Sequence, residues 1–225
     1  MNERLHDLAT PDASECARPP IVALALCRTE PGQLHVGVLY EDAAESHRLL
    51  DLAWHHRLRT NPWADVKNCG YWWFATGLPI EVQVQIAEVC DVVAEKYRGR
   101  WPACRIPYAV LYRNGYFDPN NGELVLTGGV GLTCATFVLA IFASRGVRIL
   151  DVDSWQARTE DRIWHEKILA GLRDDHAEPD HIAAVEKELG CVRFRPEEVV
   201  AGAWYPPAAR FEVAVDVGSR IASLV

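Results

Sequence analysis

The hydrophobic and polar positions along the chain predict strands in its first quarter and helices after residue 130. The strand segments are short apolar runs, the first of them apolar on both faces, and each is bounded by polar or turn residues. They lie at 21–27, 34–40, 47–54, 106–112, 124–126 and 147–152. The aromatic segment 55–78 has no clear period, and we interpret it as a loop.

Apolar positions at helical spacing predict one helix in the first half of the chain and several in the second. They cover 80–98, 132–144, 154–172, 179–189 and 197–204. Helix 80–98 follows Pro79, a favourable residue at a helix start, and helix 132–144 ends before Gly146. The segment 211–224 fits either a helix or a strand.

The order of these elements indicates how the chain is organised. Strands precede helices instead of alternating with them, which favours an α+β fold over a regular βαβ arrangement. No internal repeat or low-complexity linker interrupts the sequence. We expect an N-terminal tail at 1–20, a core at 21–150, and a mostly helical extension at 151–225 that packs on the core.

Composition and charge exclude several classes of protein. Of 225 residues, 49% are hydrophobic and 24% charged, which is typical of a globular chain rather than a disordered one. A net charge of −8 argues against nucleic-acid binding, which needs clustered Lys and Arg. The longest apolar stretch, 132–143, is too short to span a membrane. Residues 1–20 are acidic and have no apolar core, so we expect no secretory signal there.

The seven cysteines are odd in number, widely scattered and without a CxxC pair. This pattern is not that of a disulfide framework or a Cys-rich zinc site, and it favours free thiols in a reducing, cytoplasmic setting. The histidines and acidic residues at 174–181 match no zinc spacing, and His55-His56 is interpreted as a surface pair. We therefore expect neither a metal nor another cofactor.

Cys134 differs from the other cysteines by its position. It follows the glycine-rich segment 128–131 and lies at or near the first turn of the apolar helix 132–144, where Thr133 is available as a cap. The positive end of the helix dipole and its free N–H groups stabilise a thiolate, which is the nucleophilic form. The alternative is a small hydrophobic residue packed in the core.

A nucleophilic cysteine needs a general base, and histidine is the usual one. His35 interrupts an apolar strand, and His47 opens the next one. A hairpin centred near Glu41 would place both side chains on one face, so that one imidazole takes the thiol proton and the other orients it. The alternative is that both histidines have only structural roles.

Two stretches together resemble the circularly permuted papain-like, or NlpC/P60-like, thiol enzymes. They are His35-Val-Gly-Val-Leu-Tyr, followed by His47, and Leu132-Thr-Cys134-Ala-Thr-Phe137-Val138. The twelve-residue interval between the histidines and the Cys-x-x-Phe-Val helix start are similar to lecithin:retinol acyltransferase-like members, and the PPPDE group is a further relative. The resemblance covers about residues 21–145. It implies an antiparallel sheet packed on the Cys-bearing helix, with Cys134 as nucleophile, His35 as base and His47 as orienting residue.

The expected function is a cytoplasmic thiol hydrolase that acts on an amide or isopeptide bond through an acyl-enzyme. Its substrate would be a peptide, a protein or an acyl compound. Alternatives are a thiol acyltransferase or thioesterase of the same fold, and a non-catalytic binding module. The register between the two strands stays open, so Asp51 or His55 can replace His47 as the third residue. The oligomeric state stays open too.

Overall fold

The computed structural model describes residues 18–30, 32–100, 104–204 and 208–225. Its strands are β1 (Val22–Glu30), β2 (Gln33–Glu41), β3 (His47–Trp54), β4 (Arg57–Pro62), β5 (Tyr71–Ala75), β6 (Gly99–Arg100), β7 (Tyr116–Phe117) and β8 (Leu124–Val125). The first six form one antiparallel sheet in the order β5-β1-β2-β3-β4-β6, and β7 pairs with β8.

The helices lie mostly in the second half of the described chain. They are α1 (Trp63–Val66), α2 (Ile80–Lys96), α3 (Cys134–Ala143), α4 (Thr159–Asp174), α5 (Pro179–Glu186), α6 (Pro196–Trp204) and α7 (Phe211–Ala222), with a 3₁₀ turn at Val152–Ser154. The predicted α+β class is confirmed, and the ambiguous segment 211–224 is a helix over most of its length.

The prediction of a loop at 55–78 is wrong. The segment contains β4, α1 and β5, and β5 extends the sheet by pairing antiparallel with β1, from Cys27 opposite Tyr71 to Ala23 opposite Ala75. On this edge strand Phe74 is buried, but Tyr71, Trp72 and Trp73 are only partly buried, so the sequence has no clean two-residue alternation.

Two predicted strands, at 106–112 and 147–152, do not form. Each makes a single isolated bridge instead, Tyr108 with Leu132 and Leu150 with Ala209. In 106–112 most of the apolar residues are buried, whereas in 147–152 only Ile149 and Leu150 are buried. Burial alone does not distinguish a strand from an irregular segment.

The central sheet is buried on both faces, as the continuous apolar run of β1 predicts. One face packs on a large core that includes nearly all of α3. The other carries a small cluster of Ala23, Ala25, Leu39 and Leu49, covered by aromatic residues such as Trp63 and Trp73. Because side chains alternate along a strand, His35 lies on the same side of β2 as Leu39.

Residues 1–17, which include Cys16 and most of the expected tail, lie outside the described residues. The six cysteines that are described are free thiols. Within the described part of the chain, no helix combines the length and the apolar character needed to cross a membrane.

Candidate active site

Cys134 is the first residue of α3, and the predicted Thr133 cap is confirmed. The Thr133 hydroxyl accepts a hydrogen bond from the Thr136 backbone N–H at 3.2 Å, and the Thr136 hydroxyl accepts one from the Thr133 N–H at 2.7 Å. This reciprocal pair fixes the first turn, so the thiol of Cys134 lies at the positive end of the helix.

Although Cys134 is only 7% exposed, it is not sealed in the core. It lines a cavity of about 220 Å³ together with His35 from β2. The lining also includes four aromatic residues, Trp54, Tyr108, Trp164 and Phe194, together with Arg193. The cavity therefore provides space for a ligand beside Cys134 and His35.

The charges of Cys134 and His35 stabilise each other. Burial opposes ionisation of the thiol, but the His35 imidazole, with the backbone N–H groups of Val36 and Ala135, lowers the pKa of Cys134 below its ordinary value. Burial also opposes protonation of His35, but the Cys134 thiolate and the Asp51 carboxylate raise its pKa to about 10. Each ionised form thus stabilises the other, which favours a thiolate–imidazolium pair.

Asp51 is the residue that orients His35. Its carboxylate lies 2.7 Å from His35 Nε2 and is fully buried. Arg59 donates to the same carboxylate through Nε at 2.9 Å. Burial would raise the pKa of Asp51, but His35 and Arg59 lower it, so Asp51 is ionised. With Nε2 held by Asp51, the Nδ1 atom of His35 is left for the thiol.

Gly37 makes the contact between Asp51 and His35 sterically possible. A Cβ atom at Gly37 would lie 2.7 Å from the Cβ of Asp51 and 2.8 Å from the carbonyl oxygen of Leu50. Both distances are shorter than atomic contact allows. Glycine at this position therefore leaves room for Asp51 on the neighbouring strand.

The structure does not bring His47 to this site. The expected hairpin centre near Glu41 is wrong, because Glu41 itself pairs with His47. The turn begins later in the sequence, after β2. There the Asp42 carboxylate accepts hydrogen bonds from the backbone N–H groups of Ala44 and Ser46, at 3.0 and 2.9 Å. His47 instead lies with Nε2 at 3.2 Å from the Pro20 carbonyl.

Tyr108 is a site residue that the sequence did not reveal. Its hydroxyl lies against the thiol and the backbone N–H of Cys134, and burial together with the Cys134 charge raises its pKa. Its ring packs on Trp54 with centroids 4.6 Å apart. The segment was predicted as a strand, and no local signal marked this side chain.

Two histidines hold the backbone of Tyr108. His55 Nδ1 accepts its N–H at 3.1 Å, and His181 Nε2 donates to its carbonyl at 2.9 Å. His55 also contacts Glu178 at 3.3 Å. The expectation that His55 lies on the surface is wrong, since its side chain is 9% exposed beneath the segment that carries His181.

His55, His56 and Glu178 have ligand atoms within 4.8 Å of one another, as in a metal site. Burial lowers the pKa of His55 to about 4, so its ring is neutral and has one N–H. Because Nδ1 accepts from the Tyr108 backbone, that hydrogen is on Nε2 and points to Glu178. The Nε2 lone pair is then not free, and the cluster fits a hydrogen-bonded clamp on Tyr108.

The C-terminal helices supply a second part of the site. Glu188 accepts three backbone N–H groups, from Val110 and Leu111 through Oε2 and from Val130 through Oε1, at 3.0–3.3 Å. These bonds join the segment after Tyr108 to the segment before Cys134. Sequence reasoning missed Glu188 because its partners lie 58 to 78 residues away.

Comparisons of this chain with protein-family models, with curated proteins and with solved structures find no match. The chemistry of the site is therefore inferred from its own residues. The central observation is a thiol of lowered pKa at a helix start, paired with a histidine that a buried carboxylate orients.

Proposed function

We propose that this protein is a cysteine-nucleophile hydrolase of amide or isopeptide bonds. Cys134 is the nucleophile, His35 the general base and acid, and Asp51, rather than His47, the orienting residue. The observation that carries the proposal is the contact chain from Cys134 through His35 to Asp51, which opens on a cavity. This is the arrangement of a nucleophile, a base and an orienting third group.

The order of the elements supports a permuted papain-like fold as part of the proposal. The strand that carries His35 precedes the helix that Cys134 opens, and that helix packs against the antiparallel sheet. A free thiol nucleophile also implies a reducing compartment such as the cytoplasm, because oxidation removes the thiolate.

The reaction begins when the Cys134 thiolate attacks the substrate carbonyl. A C–S bond forms, and the carbonyl π electrons move to oxygen. The oxyanion lies next to the Cys134 backbone N–H and the Tyr108 hydroxyl, two donors at the positive end of α3. The His35 imidazolium then donates its proton to the leaving nitrogen, the C–N bond breaks, and an acyl-enzyme remains.

Hydrolysis of the acyl-enzyme uses the same residues in reverse. Neutral His35 takes a proton from water, and the resulting hydroxide attacks the thioester carbonyl. The C–S bond breaks, and the thiolate and imidazolium form again as the carboxylic acid product leaves. Asp51 holds the imidazole in one orientation throughout and stabilises its charged form.

The test is the rate at which each cysteine reacts with iodoacetamide at pH about 6, where an ordinary thiol is almost entirely protonated. Mass spectrometry of peptides separates Cys134 from Cys69, an exposed thiol that serves as internal reference. We expect Cys134 to react faster than Cys69 despite its burial, and His35→Ala to remove that advantage. Slow and equal labelling of both thiols would overturn the proposal.

A further inference from the structure

Arg193 brings a fixed positive charge to the wall of the Cys134 cavity. Its guanidinium stacks on Trp164, with Cζ 3.9 Å from the ring centroid. Its own carbonyl accepts hydrogen bonds from Trp155 Nε1 at 3.1 Å and from Arg158 at 2.9 Å. Both the backbone and the side chain of Arg193 are therefore held in one place.

No carboxylate in the described part of the chain forms an ion pair with Arg193, and its Nε atom is buried without a hydrogen-bond partner. The neighbouring arginines differ in this respect: Arg158 pairs with Glu198, and Arg195 pairs with Glu160 at 2.8 Å. Burial and the nearby Arg195 lower the pKa of Arg193. A cation that is desolvated but not paired gains free energy when an anion binds beside it.

Charged side chains of both signs surround Arg193. A second cavity of about 390 Å³ shares Arg193 and Trp164 with the first. Its charged lining residues are Arg28, Lys167, Arg195, Glu160 and Glu197, and Glu30 lines the first cavity. The Arg195 pair neutralises Glu160. Glu197 and the buried Asp161 are carboxylates whose charges act on Arg193, and Asp161 lies 3.4 Å from Arg158 and 3.7 Å from Arg195.

We propose that Arg193 binds a carboxylate of the substrate, so that the preferred substrate is anionic close to the bond that Cys134 attacks. The planar guanidinium fork matches a carboxylate through two parallel hydrogen bonds. Arg193 is close enough to Cys134 for their charges to interact, so the anion and the scissile carbonyl lie in one cavity. This inference rests on Cys134 being the nucleophile.

The test compares two alkylating reagents of almost the same size, iodoacetate with a carboxylate and iodoacetamide with a neutral amide. Their rates at Cys134 are measured in the wild type, Arg193→Gln and Lys167→Gln, a matched loss of charge in the second cavity only. We expect the iodoacetate-to-iodoacetamide ratio to fall about tenfold or more in Arg193→Gln and to stay unchanged in Lys167→Gln. The ratio cancels any effect of the substitution on the thiolate itself.

The outcomes separate this inference from the proposed function. Selective iodoacetamide labelling of Cys134 with an iodoacetate ratio that does not depend on Arg193 would overturn the anion site and leave the nucleophile standing. If neither reagent labels Cys134 selectively, both the anion site and the proposed nucleophile are overturned. If Arg193→Gln does not fold, Arg193→Lys is measured instead. This variant keeps the charge but loses the planar fork and the stack on Trp164, so we expect the iodoacetate-to-iodoacetamide ratio to fall by a smaller factor. An unchanged ratio in this variant counts against the site.

The substrate carboxylate could belong to a chain terminus or to a side chain, and two isomeric compounds distinguish these sources. Each is added at millimolar concentration, and its protection of Cys134 against iodoacetamide is measured. N-acetylglutamine has a free α-carboxylate, as at a chain terminus, and N-acetylisoglutamine has only the side-chain carboxylate. Protection that depends on Arg193 supports the proposal and shows which source is preferred. Protection by neither isomer counts against it.

Discussion

A buried carboxylate helps to set the charge state of the pair at the cavity. Asp51 is fully buried, and its charge is sustained because His35 contacts it and Arg59 donates to it. Since Asp51 also helps raise the pKa of His35, the imidazolium is present below pH about 10 and is lost above it. The thiolate of Cys134 depends in turn on that imidazolium.

We therefore expect Asp51→Asn to move the alkylation of Cys134 to higher pH. Without the carboxylate the pKa of His35 falls, the imidazolium stabilises the thiolate less, and the apparent pKa of Cys134 rises by about one unit or more. The measurement is the iodoacetamide rate as a function of pH. The control is His47→Gln, which is expected to leave the profile unchanged; an equal or larger shift in that variant would restore His47 as the third residue.

At the level of the element, α3 begins at Cys134 because Thr133, the residue before it, is the N-cap of the helix. Thr133 has extended backbone and accepts the Thr136 N–H. Both threonines are buried, so water cannot replace the lost hydrogen bonds. The cap is thus a local device that serves both the stability of the helix and the position of the thiol.

Removing the cap is expected to destabilise the whole chain. Thr133→Val keeps the shape of the side chain but leaves the buried N–H of Thr136 without an acceptor, which lowers the free energy of unfolding by about 1–2 kcal/mol. Thr133→Ser keeps the hydroxyl and should lose less than Thr133→Val. Urea denaturation of the three proteins measures the difference. Equal stability of the valine and serine variants would mean that the cap contributes nothing.

At the level of the whole molecule, the C-terminal helices are part of the candidate site. The segment after Tyr108 has no strand partner, and residues around α5 supply its hydrogen bonds. Glu188 accepts two N–H groups of this segment and also that of Val130. His181 donates to the carbonyl of Tyr108, and the Cys191 thiol lies 3.5 Å from the Val110 carbonyl. The cavity therefore has one wall from the sheet and one from the C-terminal helices.

Glu188→Gln tests this connection. The amide has one oxygen where the carboxylate has two, so its NH₂ group faces at least one backbone N–H, and we expect a loss of about 1–3 kcal/mol in the free energy of unfolding. Labelling of Cys134 by iodoacetamide should slow as well. Glu186→Gln, which removes only an exposed pair with Arg173, should cost less than about 0.5 kcal/mol and leave labelling unchanged. Equal effects of both variants would show that Glu188 has no special role.

Short-range sequence signals are sufficient to predict many of the strands and helix starts. The apolar runs predict β1 to β3, and Pro79 and Thr133 mark the starts of α2 and α3, because each signal acts within one turn or one strand. The strand predicted at 106–112 is wrong because its hydrogen-bond partners are distant in the sequence. Its apolar residues indicate only burial, whereas its hydrogen bonds are made with Glu188 and His181, more than 70 residues away.

Local sequence signals predict the α+β class, the capped position of Cys134 and the apolar strand around His35, since these depend on neighbours a few residues apart. Which residue contacts His35 depends on the folded chain, because the register of β2 against β3 brings Asp51 to it and leaves His47 elsewhere. Folding also places Tyr108 and Arg193 at the cavity, since their positions depend on packing between segments that no local pattern connects.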